Sequence, residues 1–183
     1  MHVVPTAMHP ISASAVAHMT LDDDPYRLHY SIALQGLDLE PAAANRIDQN
    51  DVIGIHMHFI VPGVTGPHIL NIFGTPGEED ADLAVDYANE TISGIYDISD
   101  ATLDPATGEP LPQFFFITTK IIDDWIDELV SNQLYLAVHT AGENGQALLH
   151  GDVIAVPEPA TSGLLAAGLA ALAGAQRRRR QRC

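Results

Sequence analysis

Residues 26–35, YRLHYSIALQ, alternate apolar and polar side chains without a break, and this period of two is what most constrains the chain. Tyr26, Leu28, Tyr30, Ile32 and Leu34 fall on one side, with Arg27, His29, Ser31, Ala33 and Gln35 on the other. Successive Cβ atoms of an extended chain leave opposite faces, so the pattern predicts a half-buried strand. A second strong strand is predicted from Val52 to Ile60, with Ile53, Ile55, Met57 and Phe59 on one face and His56 and His58 on the opposite one. SASAVAHMTL is a weaker candidate, joined to the first strand by a turn at Asp22-Asp23-Asp24-Pro25. Shorter strands are expected at 67–73, in TISGIYDI, at 134–140 and at 146–156.

Two stretches break the β pattern. The acidic run TPGEEDADLAVDYANE reads as a surface loop with one helical turn. Over 118–130, Ile121, Ile122, Trp125, Ile126, Leu129 and Val130 form a helical stripe, opposite Asp123, Asp124, Asp127 and Glu128. One amphipathic helix is therefore expected, lying as a lid on the end of the β domain. Its paired carboxylates have the spacing of a solvated helix face, so glycosidase chemistry is not assigned to them.

Charge divides the chain in two. Residues 1–156 carry 23 acids against three bases, Arg27, Arg46 and Lys120, a formal charge of −20. A body of that sign repels phosphate backbones, which excludes nucleic acid as a partner. The single cysteine, Cys183, rules out an intrachain disulfide. The opening MHVVPTAMHP has neither a basic start nor an apolar run of signal-peptide length.

From Val156 the chain reads VPEPATSGLLAAGLAALAGAQRRRRQRC. Pro157, Glu158 and Pro159 come first. An apolar stretch over 160–175 follows, then Arg177, Arg178, Arg179, Arg180 and Arg182. The apolar part, at about 16 residues, is a little under the ~20 that span a bilayer. Arginines after it would hold that end in the cytoplasm and leave the acidic body outside. The ending resembles the PEP-CTERM sorting signal of Gram-negative bacteria. The resemblance implies a tail that pauses in the inner membrane, is cut near Pro-Glu-Pro by an exosortase, and delivers the body to the cell surface, often alongside exopolysaccharide or other surface proteins. It also implies a leader, so the true start is expected upstream of Met1.

LHYSIALQGLDL, GIHMHFIVPGVTGP and LYLAVHTAGENGQALLHGDVI together resemble the CHRD (chordin-type) domain. The matching positions are Leu28 to Leu37, His56 and His58 with Gly63 and Gly66, and Tyr135 to Thr140 with Gly145 and Gly151. The usual opening strand is expected to be missing or cut short at Val3-Val4-Pro5. The resemblance implies an extracellular β-rich module without a general catalytic role, over residues 1–155, followed by the sorting tail over 156–183.

The histidines carry the sharpest chemistry. In an H-x-H strand both imidazoles leave one face with Cβ atoms ~7 Å apart, within reach of one metal ion. Phasing 134–140 with Leu134, Leu136 and Val138 inward turns His139 outward. His68, after Gly66-Pro67, is a fourth candidate donor. Neutral imidazoles suit Cu or Zn. The alternative is a pair of polar side chains on a solvated strand face. The arrangement is similar to the copper side of Cu/Zn superoxide dismutases, onto which His56, His58, His68 and His139 map. However, the loop after His68 offers Glu78, Glu79, Asp80 and Asp82 without a histidine, the disulfide is absent, and Ala147 stands where an anion-guiding arginine would fall. Dismutase activity is therefore not expected. No nucleophile elbow, zinc-protease, P-loop or EF-hand motif occurs.

The expected molecule is mostly β, a Greek-key sandwich or barrel of immunoglobulin-like or superoxide dismutase-like type. It has one amphipathic helix and a C-terminal transmembrane segment. Three roles stay open: a non-catalytic structural or adhesive surface module, a Cu- or Zn-binding protein, and a calcium-dependent carbohydrate or matrix binder using the acidic loop at 78–90.

Overall fold

A computed structural model of the chain describes residues 4–5, 12–66, 68–74, 80–100, 106, 122–143 and 147–156. Among these described residues, nine strands form two antiparallel sheets: β1 (Val4–Pro5), β2 (Ser14–Asp23), β3 (Tyr26–Gln35), β4 (Val52–Phe59), β5 (His68–Phe73), β6 (Ala84–Asp86), β7 (Thr91–Tyr96), β8 (Leu134–Thr140) and β9 (Ala147–Asp152). One sheet runs β1-β9-β8-β4-β5 and the other β2-β3-β7-β6. Separate sheets with free edges make this a sandwich rather than a closed barrel.

The alternation at 26–35 holds. Leu28, Tyr30, Ile32 and Leu34 are buried between the sheets, in one core with Leu134, Leu136 and Val138 from β8. The weaker candidate turns out to be a full ten-residue strand, β2, paired with β3 along its whole length from Ser14↔Gln35 to Asp23↔Tyr26. Val4–Pro5 supplies a two-residue edge strand, pairing with His150 and Leu149.

Three expectations need correction. In β4 the residue packed in the core is Val52, not Ile53. A bulge lies between the pairs Val52↔Thr140 and Gly54↔His139, and the extra residue moves the inward phase off Ile53. The acidic stretch 74–90 contributes a short strand, β6, rather than a helical turn among its described residues. The long helix shrinks to α1 (Ile126–Val130), preceded by a 3-10 turn at Ile122–Trp125. Ile122 and Leu129 are buried as the stripe requires, but Val130 is 49% exposed because the helix ends there. Residues 118–121 lie outside the described residues.

Bulges recur in β5. Met57 pairs with Leu70 and His58 with His68, which leaves Ile69 as an extra residue; Ile55↔Phe73 and His56↔Asn71 leave Ile72 as another. This is why Ile69, Leu70, Ile72 and Phe73 are all buried despite their adjacency. Among the described residues no helix is long and apolar enough to cross a membrane. The segment expected to do so, 160–175, lies outside them.

Candidate metal centre

The face of β4 that points away from the inter-sheet core carries Gly54, His56 and His58. Pairing places Tyr135 beside His58, Ala137 beside His56 and His139 beside Gly54. On the other flank, unbroken register from Met57↔Leu70 would set Ile69 against His58. The bulge at Ile69 sets His68 there instead. One irregularity therefore brings the fourth imidazole onto the face of the other three.

The imidazoles converge. One ligand nitrogen from each of His56, His58, His68 and His139 lies within 4.8 Å of those of the other three. His56, His58 and His68 form the tightest group, with ring centroids 4.7, 3.7 and 4.2 Å apart, and His139 joins through His56 at 4.5 Å. Two nitrogens on one tetrahedral metal stand ~3.3 Å apart at the usual ~2.0–2.1 Å bond length, so small rotamer adjustments close the gap.

The histidines are not on a solvated face. His56 is 6% exposed and His58 1% exposed. The turn after β4 folds over them, pinned by the bridge Val61↔Val64. His58 donates its Nδ1 proton to the Gly66 carbonyl at 2.8 Å, which leaves Nε2 with the free lone pair. Gly66 can only be glycine, because a Cβ there would sit 1.7 Å from the Phe59 carbonyl oxygen. The Tyr135 ring stacks on His58 at 4.8 Å and 3°.

Burial keeps His56, His58 and His68 neutral. It drives the His56 imidazole far below its ordinary range, with His68, His139 and His58 adding repulsion against a second charge. His58 is lowered by burial, against the pull of its Gly66 bond. His68 is lowered to about 4, by burial first and then by His58 and His139. Nε2 of His56 is buried with no hydrogen-bond partner among the described residues. A buried imidazole nitrogen left without a partner is costly whichever tautomer it belongs to. Ala147 pairs with His139, so the position read as lacking a guiding arginine borders the cluster with only a methyl group.

A second buried titratable group escaped the sequence reading. Asp80 and Asp100, 4% and 5% exposed, face each other where the loops after β5 and β7 meet the core. Asp80 accepts from the Tyr30 hydroxyl and from the Asp82 amide at 2.8 Å. Asp100 accepts from the Ala81 amide at 2.6 Å and the Asp97 amide at 2.7 Å. Burial pushes the Asp100 carboxyl up to about 7, with the Asp80 charge adding to it and the two amides opposing. The legible signal was Gly94, interior to β7, where a Cβ would lie 2.1 Å from Asp80 Oδ2. His29 pairs with Asp22 at 3.0 Å on the surface. Pro157, Glu158, Pro159 and Arg177, Arg178, Arg179, Arg180 and Arg182 lie outside the described residues.

Fold and site together define a two-sheet β domain with a four-histidine cluster on the outer face of one sheet. The CHRD domain family matches residues 1–149, and the chain belongs to that family. The PEP-CTERM protein-sorting motif matches residues 155–180, which implies exosortase-dependent export and association with the bacterial surface. No curated protein and no solved structure matches the chain.

Proposed function

We propose that the exported domain is a transition-metal-binding surface module, in which His56, His58, His68 and His139 hold one Cu or Zn ion. The observation that carries this reading is the buried Nε2 of His56, partnerless among the described residues and set beside three further imidazoles. Four neutral nitrogen donors without carboxylate or thiolate suit Cu or Zn and disfavour the oxygen-seeking Ca and Mg. Bound metal would supply a cross-link between β4, β5 and β8, stabilising the folded module as it works outside the cell.

The module's role is structural or adhesive rather than catalytic. A body of formal charge −20 and an apolar residue at 147 offer no guidance to an anionic substrate. The tail over 160–175 spans the inner membrane of a Gram-negative bacterium until the exosortase cuts, with the arginine cluster held inside. Exopolysaccharide or other surface proteins are the partners that fit the destination.

The test is metal content. Full-length protein loaded with Cu(II) or Zn(II) and desalted is expected to retain one equivalent per chain. The doubly substituted His56→Ala, His58→Ala protein, checked for native circular dichroism, is expected to retain none. Wild type that keeps no stoichiometric metal would overturn the reading and leave a purely structural domain.

A further inference from the structure

Where the described chain ends, the domain has an apolar groove. Met19 and Leu21 of the edge strand β2 form one wall, Leu129 and Val130 of α1 another, and Ile154 and Val156, just past β9, the third. Val130, Ile154 and Val156 are 49%, 62% and 80% exposed. Thus three of the large apolar side chains left in water gather around one groove. Among the described residues, no Asp, Glu, Lys or Arg lines it.

We propose that this groove is the face on which the domain rests against lipid while its tail is still attached. This rests on the reading of 160–175 as membrane-spanning. The argument is one of tether length. Four residue steps separate Val156 from Ala160, and an extended chain covers at most ~3.3–3.6 Å per step, so the groove's lip stays within ~14 Å of the point where the apolar segment begins. Pro157-Glu158-Pro159 is also a poor sequence for folding that segment back into the groove, because prolines favour an extended path.

The surface met is the uncharged apolar boundary of zwitterionic lipid. A body of charge −20 gains nothing from anionic headgroups, and the described lining of the groove offers them no Lys or Arg. A tether raises the effective concentration of the contact to the millimolar range, so an apolar rim too small to bind membranes alone is sufficient. Cutting the tail removes that advantage, and the domain leaves. Docking also holds Pro157-Glu158-Pro159 at headgroup height, where a membrane-embedded protease can reach it.

The far end of the domain supplies the control. Ile47 is 78% exposed, and its amide bonds to Asp51, whose own carbonyl accepts from Ala141 just past the end of β8. Val153 bonds to Leu134 at the start of that strand. A seven-residue strand, ~20 Å, therefore separates Ile47 from the groove.

The experiment uses full-length protein carrying Cys183→Ser and a single spin label at Val130→Cys, Ile154→Cys or Ile47→Cys, reconstituted into phosphatidylcholine vesicles. Labels at 130 and 154 are expected to collide with lipid-dissolved oxygen, and to be shielded from an aqueous relaxer several-fold relative to 47. Val130 is the decisive site, since it lies across the groove from the tether. A chain that does not float with the vesicles overturns the tail reading and this inference together. A floating chain whose residue 130 is as open to the aqueous relaxer as residue 47 overturns this inference alone. So does a residue 130 shielded from both probes, which would mean a protein occupant instead.

Discussion

The molecule buries two groups of titratable side chains, and they are opposites. At the histidine cluster, four imidazoles are crowded together with one buried nitrogen, His56 Nε2, meeting no hydrogen-bond partner among the described residues. At the carboxyl pair, each oxygen of Asp80 and Asp100 already accepts from an amide or from the Tyr30 phenol. One group leaves a buried nitrogen without a partner among the described residues, and the other has each carboxylate oxygen engaged. Proximity of like groups therefore does not by itself point to a metal; whether their polar atoms are already partnered is the sharper guide.

The comparison breaks most readily at His56. Saturating Cu or Zn at about a thousand times Kd stabilises a single-site protein by ~4 kcal/mol, or roughly 10 °C in Tm for a domain of this size. His56→Ala is expected to lose nearly all of that shift in differential scanning fluorimetry. Retention of the full shift would place the metal elsewhere.

Acid and base titrate the two groups in opposite directions. In metal-free protein, His68 at about 4 and the lowered His56 and His58 bind fewer protons folded than unfolded. The stability they allow is therefore present above pH ~6.5 and lost as pH falls toward 4. Asp100, raised to about 7, does the reverse: its contribution is intact below pH ~4 and is lost as pH rises through 7, by at most ~4 kcal/mol. Urea denaturation of Asp100→Asn with a chelator present is expected to be less sensitive to that rise than wild type. Parallel wild-type and variant curves between pH 4 and 8 would show that the pair shares no proton.

A smaller effect is expected at Gly66. Gly66→Ala must displace the turn or the Phe59 carbonyl, which takes the acceptor from His58 Nδ1. Loss of such an orienting partner costs about 10–100-fold in metal affinity, to be read by competition with a chromophoric chelator. Unchanged affinity would mean that packing alone, including Tyr135, orients the ring. The smallest expected effect is that of calcium. Two of the described acids of 78–90 spend their oxygens internally, Asp86 on Asn89 and Ala88, and Glu90 on the Leu39 amide. With these oxygens already engaged, millimolar calcium is expected to move Tm by less than about 1 °C. A larger rise would revive the calcium reading.

Much of this was legible in residue types. Clean alternation in β3 and β8, and H-x-H in β4, specified which side chains point inward and which do not. Bulges were not legible, because Ile53, Ile69 and Ile72 are ordinary strand residues and nothing in their chemistry announces an extra position. The helix was overextended because an apolar stripe at 3.6 spacing also serves a 3-10 turn followed by five residues of α-helix. Asp80 was hidden in an acidic run, where burial is the exception, and only the notch at Gly94 pointed to it. Burial of His56 and His58 also came from outside their own strand, through a turn whose closeness depends on the absent side chain of Gly66.

The extra residue at Ile69 gives β5 a tolerance for length right beside the histidine cluster. Deleting Ile69 would leave Leu70 against Met57 and His68 against His58 in regular pairing, so the four imidazoles would keep one face. Straightening the strand with Ile69 retained would instead set Ile69 against His58 and turn His68 to the other face. A one-residue change in the length of β5 beside the cluster can thus be taken up by gaining or losing a bulge, with the histidine kept on the shared face.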